Sequence, residues 1–170
     1  GLLGPFTIRS KILMQKCKMD WDEKAPDTIR QKMAKWFQEL QKLDNIKVNR
    51  CVRESKEKIE TNISIHSYSD ASEMAYGAVV YLVVQYQNVD VSSKLVVEKT
   101  KVAQLATVSI PRLELMAAVL SLHLANTIAE VYKIDQMNIN YWTDSMNVLW
   151  WVRNHSRKFK PFAANRVSEI

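Results

Sequence analysis

The chain contains few of the residues that usually mark metal cages, disulfide scaffolds or non-globular structure. Its 170 residues include two cysteines, three histidines, three glycines and four prolines. So little glycine and proline argues against a fibrous or disordered chain. Cys17 and Cys51 have no Cys-x-x-Cys spacing, so we expect two reduced thiols in an intracellular protein instead of a disulfide. With so few cysteines and histidines, a zinc site is not expected.

Long apolar runs and a leader sequence are lacking as well. No run reaches the roughly 18 apolar residues that a membrane-spanning helix needs, so neither a transmembrane segment nor a membrane partner is expected. The opening stretch GLLGPFTIRSKILMQ has no basic segment followed by an apolar one, and we do not expect a signal peptide. The length and an apolar fraction of 47% suit one globular core, or one domain with an extension.

Positive charge is in excess, with a net charge of +6 and a pI near 9.3. The excess lies in residues 1–60 and 151–170, and the segment between them is net acidic. An acidic middle between basic ends would suit a metal site beside surfaces that bind phosphate. Solvated surface charge is the alternative, and charge alone does not separate the two.

Two units with different patterns follow each other, residues 1–60 and residues 61–170. In the first, PDTIRQKMAKWFQELQKL has apolar residues at helical spacing, which predicts an amphipathic helix that starts near Pro26 and Asp27. The charged segment NRCVRESKEKIETN, residues 49–62, is predicted to be a linker or surface turn.

The pattern of the second unit predicts an α/β fold. Strands are expected at residues 62–70, 77–86, 94–102 and 137–144, and helices at 111–132 and 145–155, with a third helix starting in PFAANRVSEI. Short connections favour antiparallel pairing of the first three strands. The expected architecture is a mixed sheet in the order β-β-β-α-β-α, with helices on its faces. Trp150 and Trp151 are expected to belong to the core.

Three carboxylates stand out by their position. Asp70 ends the first predicted strand, Glu114 lies in the first turn of the long helix, and Asp144 ends the fourth strand. Ligands commonly bind at the carboxyl ends of strands, so Asp70 and Asp144 would emerge side by side if their strands are adjacent and parallel. Small residues after Glu114 would let the helix approach the sheet and aim the carboxylate at its end. These small residues are Ala117, Ala118, Ser121 and Ala125.

Converging carboxylates repel one another unless a cation lies between them. Oxygen ligands suit Mg²⁺ or Mn²⁺, and two such ions about 4 Å apart can promote phosphodiester hydrolysis without a side-chain nucleophile. Taken singly, each residue has a structural alternative. Asp70 could form a turn, Glu114 could favour a helix N-terminus by its charge, and Asp144 could be an N-cap.

Three stretches of the sequence resemble ribonuclease H. SYSDASEMAYGAVVY is similar to its first catalytic strand and hairpin, PRLELMAAVLSL to the helix with the catalytic glutamate, and YWTDSMNVLWWV to the Thr-Asp-Ser motif of the fourth strand. The acidic residues also come in the family's order of Asp, Glu and Asp. Four stretches narrow the resemblance to the Pao/BEL class of LTR retrotransposon polyproteins: GLLGPFTIRSKILMQ, DWDEKAPDTI, SIPRLELMAAV and KPFAANRVSEI.

The resemblance implies metal-dependent endonucleolytic cleavage of the RNA strand of an RNA–DNA hybrid, within a Pol polyprotein. Asp70, Glu114 and Asp144 would be catalytic residues and ligands of two Mg²⁺ or Mn²⁺ ions, and Glu114 would also touch a substrate 2′-OH. Five basic residues would contact nucleic-acid phosphates: Arg112, Arg153, Arg157, Lys158 and Lys160.

The resemblance also implies an organisation and a location. Residues 1–60 would be a connection segment after a reverse transcriptase. Residues 61–170 would be a ribonuclease H-like domain, C-terminally truncated, without its last strand and helix and without a fourth acidic ligand. Its partners would be the RNA–DNA hybrid and the reverse transcriptase of the same polyprotein, in cytoplasmic virus-like particles or in the nucleus.

Three other functions remain open alternatives. A catalytically inactive module would keep the fold and serve nucleic-acid binding or scaffolding. An aspartic peptidase is suggested by the label "Pao retrotransposon peptidase", but that chemistry needs Asp-Ser/Thr-Gly, and the chain has Asp-Ala-Ser at 70–72 and Asp-Ser-Met at 144–146. An integrase-like nuclease would carry its glutamate last, whereas here the glutamate is in the middle.

Overall fold

A computed structural model describes residues 2–17, 20, 22–48, 51–52, 59–87, 90–105 and 108–170. Within these ranges the regular elements are α1 (Gly4–Cys17), α2 (Asp27–Leu40), β1 (Glu60–Ala71), β2 (Ala75–Tyr86), β3 (Val91–Val102), α3 (Ile110–Tyr132), β4 (Ile139–Trp142), α4 (Met146–Val152) and α5 (Pro161–Val167). Short 3-10 helices occupy Gln41–Asn45, Gln136–Asn138 and Ser156–Lys158.

The four strands form one mixed sheet in the order β3-β2-β1-β4. β1 and β2 are antiparallel, as are β2 and β3, because short connections turn the chain straight back. The Ser72 amide donates to the Ala75 carbonyl at 2.8 Å and closes the first of these turns. β4 lies parallel to β1, since the chain returns to the sheet through α3. The predicted mixed α/β architecture is therefore confirmed.

α3 covers one face of the sheet and lies close to it. Ile65, Val80 and Leu82 are fully buried on that face and form the main core with Ala125 and Ala129 of the helix. Burying an aliphatic side chain of this size contributes about 1.5–3 kcal/mol. This core holds β1 and β2 rigidly, and β1 carries the first predicted site residue.

Two serines show that α3 approaches the sheet closely. The Ser67 hydroxyl on β1 lies 2.5 Å from the Ser121 hydroxyl on α3, and both side chains are buried. Each hydroxyl satisfies the other, so neither is left as an unpaired buried polar group. The small side chains at Ala117, Ser121 and Ala125 are buried, as a close helix–sheet contact requires.

α3 also has the length and composition that would let a helix cross a membrane, alone among the described helices. A core helix of a globular protein passes the same test, and α3 packs against β1 and β2. Leu113 and Ala117 are buried against β2, and Leu115 is buried with Val148 and Val167 of the last two helices. Contacts with the sheet and with these helices therefore account for buried apolar residues of α3.

The last predicted elements are shorter than expected. β4 covers residues 139–142 instead of 137–144, because the Asp135 carboxylate caps a 3-10 turn that takes up the residues before it. After the strand, the Ser145 hydroxyl accepts from the Val148 amide and starts α4, which ends at Val152 instead of residue 155. The expected strand is therefore shorter at both ends, because a capped helical turn lies on each side of it.

Two predictions were wrong in part: that residues 49–62 are a linker or surface turn, and that Trp150 and Trp151 both belong to the core. β1 begins at Glu60, so the end of the segment 49–62 is strand, and most of that segment lies outside the described residues. Trp151 packs beside the buried Leu115 and Val148, as expected. Trp150, by contrast, is 58% exposed, because α4 turns this side chain away from α3.

α2 lies within the segment predicted to be helical, whereas α1 was not predicted. The Phe6 ring of α1 stacks on Trp36 of α2 at 4.8 Å, and the Trp36 indole donates to the Phe6 carbonyl at 3.0 Å. α1 also packs against β3, and Gln15 donates to the carbonyl of Ala103, the residue after β3, at 2.7 Å. Part of residues 1–60 therefore contacts the sheet, while the functional division at residue 60 stays a prediction.

Candidate active site

Asp70 and Asp144 are positioned by the parallel pair of strands, β1 and β4. The last register pair of these strands is Tyr68 with Trp142, and each aspartate lies two residues beyond it. We expected the two aspartates to emerge side by side if their strands were adjacent and parallel, and β1 and β4 are both. Both side chains are exposed, and both line one cleft of about 660 Å³.

The cleft lies on the side of the sheet opposite α3. Along β1 the side chains of Ile65, Ser67 and Ser69 are buried, and Ser67 contacts α3. Because side chains alternate along a strand, Tyr68 and Asp70 point to the other face. The Asp70 carboxylate also accepts a hydrogen bond from the Ala71 amide at 2.7 Å, which fixes it at the strand end.

Glu114 reaches the same end of the sheet by another route. Its half-buried carboxylate accepts a hydrogen bond from the Ser145 hydroxyl at 2.5 Å. Ser145 follows Asp144 directly and is the N-cap of α4. A hydrogen bond to an ionised carboxylate is about twice as strong as a neutral one. Glu114 therefore connects the N-terminal part of α3 to the residue that follows Asp144.

The three carboxylates have the right donor atoms for a divalent cation, but the structure does not bring all three together. Oxygen donors at Asp70 and Asp144 suit Mg²⁺ or Mn²⁺, and both open into the same cleft. Glu114 is not among the described residues that line it. Within the described part of the chain, no group of three or more His, Cys, Asp or Glu side chains is placed to hold a metal ion. The structure thus brings two of the three predicted ligands together in one cleft.

The five basic residues predicted to contact phosphates lie outside this cleft. The Arg112 guanidinium lies over the Phe162 ring, 4.9 Å from its centroid, and Arg166 lies over the same ring at 3.8 Å. Arg153, Arg157, Lys158 and Lys160 are exposed. None of the five is among the described cleft-lining residues.

The far wall of the cleft contains residues that sequence reasoning missed. Pro5 and Ile8 of α1 line it, together with Glu98 of β3. The Glu98 carboxylate is buried and accepts a hydrogen bond from the Gly4 amide, the first of α1. A carboxylate at a helix N-terminus is stabilised by the helix dipole. The sequence signal for this contact is weak, because its partners lie 94 positions apart.

Tyr76 borders the same cleft, but its side chain belongs to the buried cluster with Leu113 and Ala117 of α3. Burial raises the pKa of Tyr76 above its ordinary value, and the nearby Arg166 opposes this shift. The phenol therefore stays neutral at physiological pH.

The family of the chain follows from a comparison of its sequence with protein-family models. The model described as "Pao retrotransposon-like RNaseH-like domain" matches residues 1–145. The chain belongs to this family. Comparison with curated proteins and with solved structures gave no significant match.

Membership of the Pao retrotransposon-like RNaseH-like family confirms the resemblance drawn from the three acidic stretches. The description names an RNaseH-like domain, in agreement with the mixed sheet and its covering helix. The match includes Asp70, Glu114 and Asp144 and runs across residue 60. α1, α2 and the strands therefore fall within one family match.

Proposed function

We propose that the chain hydrolyses the RNA strand of RNA–DNA hybrids as the nuclease part of a retrotransposon Pol polyprotein, with the help of Mg²⁺ or Mn²⁺. The observation that carries the proposal is the placement of Asp70 and Asp144 beside each other in one cleft of an RNaseH-like domain. Two exposed carboxylates at the end of a parallel strand pair form a natural anchor for a hard cation next to a phosphate.

Asp70 and Asp144 would hold the metal, and Glu114 would be the third ligand. When bound, such ions activate a water molecule and stabilise the leaving oxygen of the phosphodiester. The chain's own contribution is placement. The Ala71 amide donates a hydrogen bond to Asp70. Ser145, the residue after Asp144, donates one to Glu114. Glu114 would also contact the 2′-OH that distinguishes RNA from DNA.

The flanking charges support a polyanionic substrate. Arg112 and the exposed basic residues after α4 would contact phosphates to the side of the cleft, where they position the strand without reading its sequence. The proposed partners are the hybrid and the reverse transcriptase of the same polyprotein. The proposed location is the cytoplasmic virus-like particle, with the nucleus as the alternative.

A second candidate is a catalytically inactive RNaseH-like module that binds nucleic acid. The observation that favours it is the hydrogen bond that Ser145 donates to Glu114, because it occupies one carboxylate oxygen of the third predicted ligand. This module would bind the same hybrid and leave its RNA strand intact. The two candidates therefore differ in whether cleaved RNA is produced.

The deciding experiment is cleavage of an end-labelled RNA–DNA hybrid by the full chain, with Mg²⁺ or Mn²⁺. Loss of several kcal/mol of transition-state stabilisation corresponds to about 100-fold or more in rate, so we expect a loss of this size in Asp70→Asn and Asp144→Asn. Glu114→Gln should also reduce cleavage, because Glu114 is the proposed third ligand. Its matched control is Glu130→Gln, since Glu130 is an exposed glutamate at the other end of the same helix.

Each outcome assigns the function. Cleavage that needs the metal and disappears in the aspartate variants supports the nuclease. Hybrid binding without cleavage, in the wild type and in the variants alike, assigns the inactive module. Cleavage that survives Asp70→Asn would remove the proposed metal-ligand role of this residue.

A further inference from the structure

The hydrogen bond between Ser145 and Glu114 involves the one predicted ligand that is missing from the described lining of the cleft. Asp70 and Asp144 both line this cleft. The Glu114 Oε2 atom instead accepts a hydrogen bond from the Ser145 hydroxyl at 2.5 Å. This distance is in the range of a charge-assisted O–H···O⁻ bond, which is about twice as strong as a neutral one. Ser145 therefore sets where the Glu114 carboxylate lies.

The Ser145 side chain is itself held in place by its neighbours. It is buried, and its hydroxyl accepts a hydrogen bond from the Val148 amide at 3.3 Å. The Ser145 amide also donates to the Thr143 hydroxyl at 3.2 Å. A hydroxyl has one proton to donate, and in Ser145 it goes to Glu114. The donor of this bond is therefore fixed in position and direction.

The Glu114 carboxylate depends on this donor. Glu114 is half-buried between the buried Leu113 and Leu115, and a charge taken out of water is unfavourable without a partner. Within the described ranges, no lysine, arginine or histidine forms an ion pair with Glu114. The Ser145 hydroxyl therefore supplies stabilisation that the carboxylate loses whenever it moves away from this position.

We propose that Ser145 is a positioning residue that holds Glu114 outside the cleft. Glu114 then joins Asp70 and Asp144 at a divalent cation only by giving up its hydrogen bond to Ser145. This inference rests on the proposed function, because that function requires the cation. Since one hydrogen bond must be broken, the wild-type chain binds the cation about fivefold more weakly than a chain without the Ser145 hydroxyl.

Two substitutions separate this role of Ser145 from its role as the N-cap of α4. Glycine and threonine are about equally good N-caps, and both are only slightly poorer than serine. They differ in the hydroxyl, which threonine keeps and glycine lacks. Ser145→Gly therefore removes the donor to Glu114, and Ser145→Thr retains it, while the start of α4 is affected to a similar extent in both.

The test measures Mn²⁺ binding to the full chain without nucleic acid, from the electron paramagnetic resonance signal of free Mn²⁺. We expect Ser145→Gly to bind Mn²⁺ about fivefold tighter than the wild type, and Ser145→Thr to bind it as the wild type does. Ser109→Gly is the matched control, because Ser109 is the exposed N-cap of α3 and its side chain makes no capping hydrogen bond. Equal or weaker Mn²⁺ binding in Ser145→Gly would overturn the proposal.

A double-mutant cycle shows whether Ser145 acts through Glu114. In a Glu114→Gln background the carboxylate is gone, so adding Ser145→Gly should leave the Mn²⁺ affinity unchanged. A gain of the same size in both backgrounds would mean that Ser145→Gly acts by another route, which overturns the proposal. Melting curves identify a Ser145→Gly protein that has failed to fold, and Ser145→Ala, which also lacks the hydroxyl, then replaces it.

The outcomes separate this proposal from the proposed hydrolysis. Tighter Mn²⁺ binding in Ser145→Gly, without cleavage of the hybrid by the wild type, supports the positioning role and counts against the nuclease. Cleavage by the wild type, together with equal Mn²⁺ affinities of the wild type and Ser145→Gly, supports the nuclease and overturns the positioning role. No Mn²⁺ binding by either protein would overturn both.

Discussion

The Ser145 hydroxyl donates a 2.5 Å hydrogen bond to the carboxylate of Glu114. Glu114 stands in an apolar run, between the buried Leu113 and Leu115, and the bond supplies a partner for a half-buried charge. Ser145 also accepts from the Val148 amide as the N-cap of α4. One hydroxyl therefore joins α3 to α4 beside Asp144.

Ser145→Ala tests this junction. The substitution removes the cap of α4 and leaves Glu114 without this donor, so we expect a loss of about 1–3 kcal/mol in the free energy of unfolding. Urea denaturation measures it. Ser168→Ala is the control, because the Ser168 hydroxyl is exposed and donates only to the Asn165 carbonyl nearby, and its effect should stay below about 0.5 kcal/mol. Equal effects of the two substitutions would contradict the special role of Ser145.

Ser121→Leu tests the close approach of α3 to the sheet. Ser121 is buried and lies 2.5 Å from the Ser67 hydroxyl, so a larger side chain has no space there. We expect overpacking to lower the free energy of unfolding by about 1–3 kcal/mol. The same measurement on Val131→Leu, at an exposed position of the same helix, should show almost no change. A Ser121→Leu protein as stable as the wild type would mean that α3 is free to move away from β1.

Gly4→Ala tests the docking of α1. Gly4 is buried, and a Cβ atom there would overlap the Glu98 carboxylate, so either this carboxylate or the first turn of α1 must shift. We expect faster amide hydrogen exchange throughout α1, measured by mass spectrometry, because the contact with β3 is weakened. Lys11→Ala, at an exposed position of α1, serves as the control. Unchanged exchange in Gly4→Ala would show that Glu98 moves aside without cost.

Arg9→Ala tests the ion pair between α1 and α2. The Arg9 guanidinium donates to Glu39 at 2.6 Å, and this hydrogen bond lowers the pKa of Glu39 below 4.5, its ordinary value, against the opposing effect of burial. A lowered pKa gives stability that is present above the unfolded pKa and lost as the pH falls through the folded pKa. We expect Arg9→Ala to raise the pKa of Glu39 toward 4.5.

An NMR titration of the Glu39 carboxyl carbon measures this shift. Lys11→Ala is the control, since it removes a positive charge from the same helix without touching the ion pair. A Glu39 titration that is the same in Arg9→Ala and in the wild type would show that Arg9 does not set this pKa.

Much of the sheet and of the site could be predicted from local patterns. Alternation along β1, the continuous β-branched run of β2 and the small residues after Glu114 are local signals, and they predicted β1, β2 and the contact of α3 with the sheet. The end of β4 could not be predicted, because the cap at Asp135 and the cap at Ser145 compete with strand pairing. α1 was missed because its apolar residues do not follow one helix face, and its position depends on Glu98.

The sequence by itself determined the family and the order of the acidic residues, since both are properties of the chain read in one direction. Tertiary structure decided which of these residues meet. It brought Asp70 and Asp144 into one cleft and bonded Glu114 to Ser145. It also brought the Trp142 ring of β4 next to the Tyr68 ring of β1, although the two residues are far apart in sequence. The reason is physical: such contacts form only when hydrophobic burial pays the entropy of bringing distant segments together.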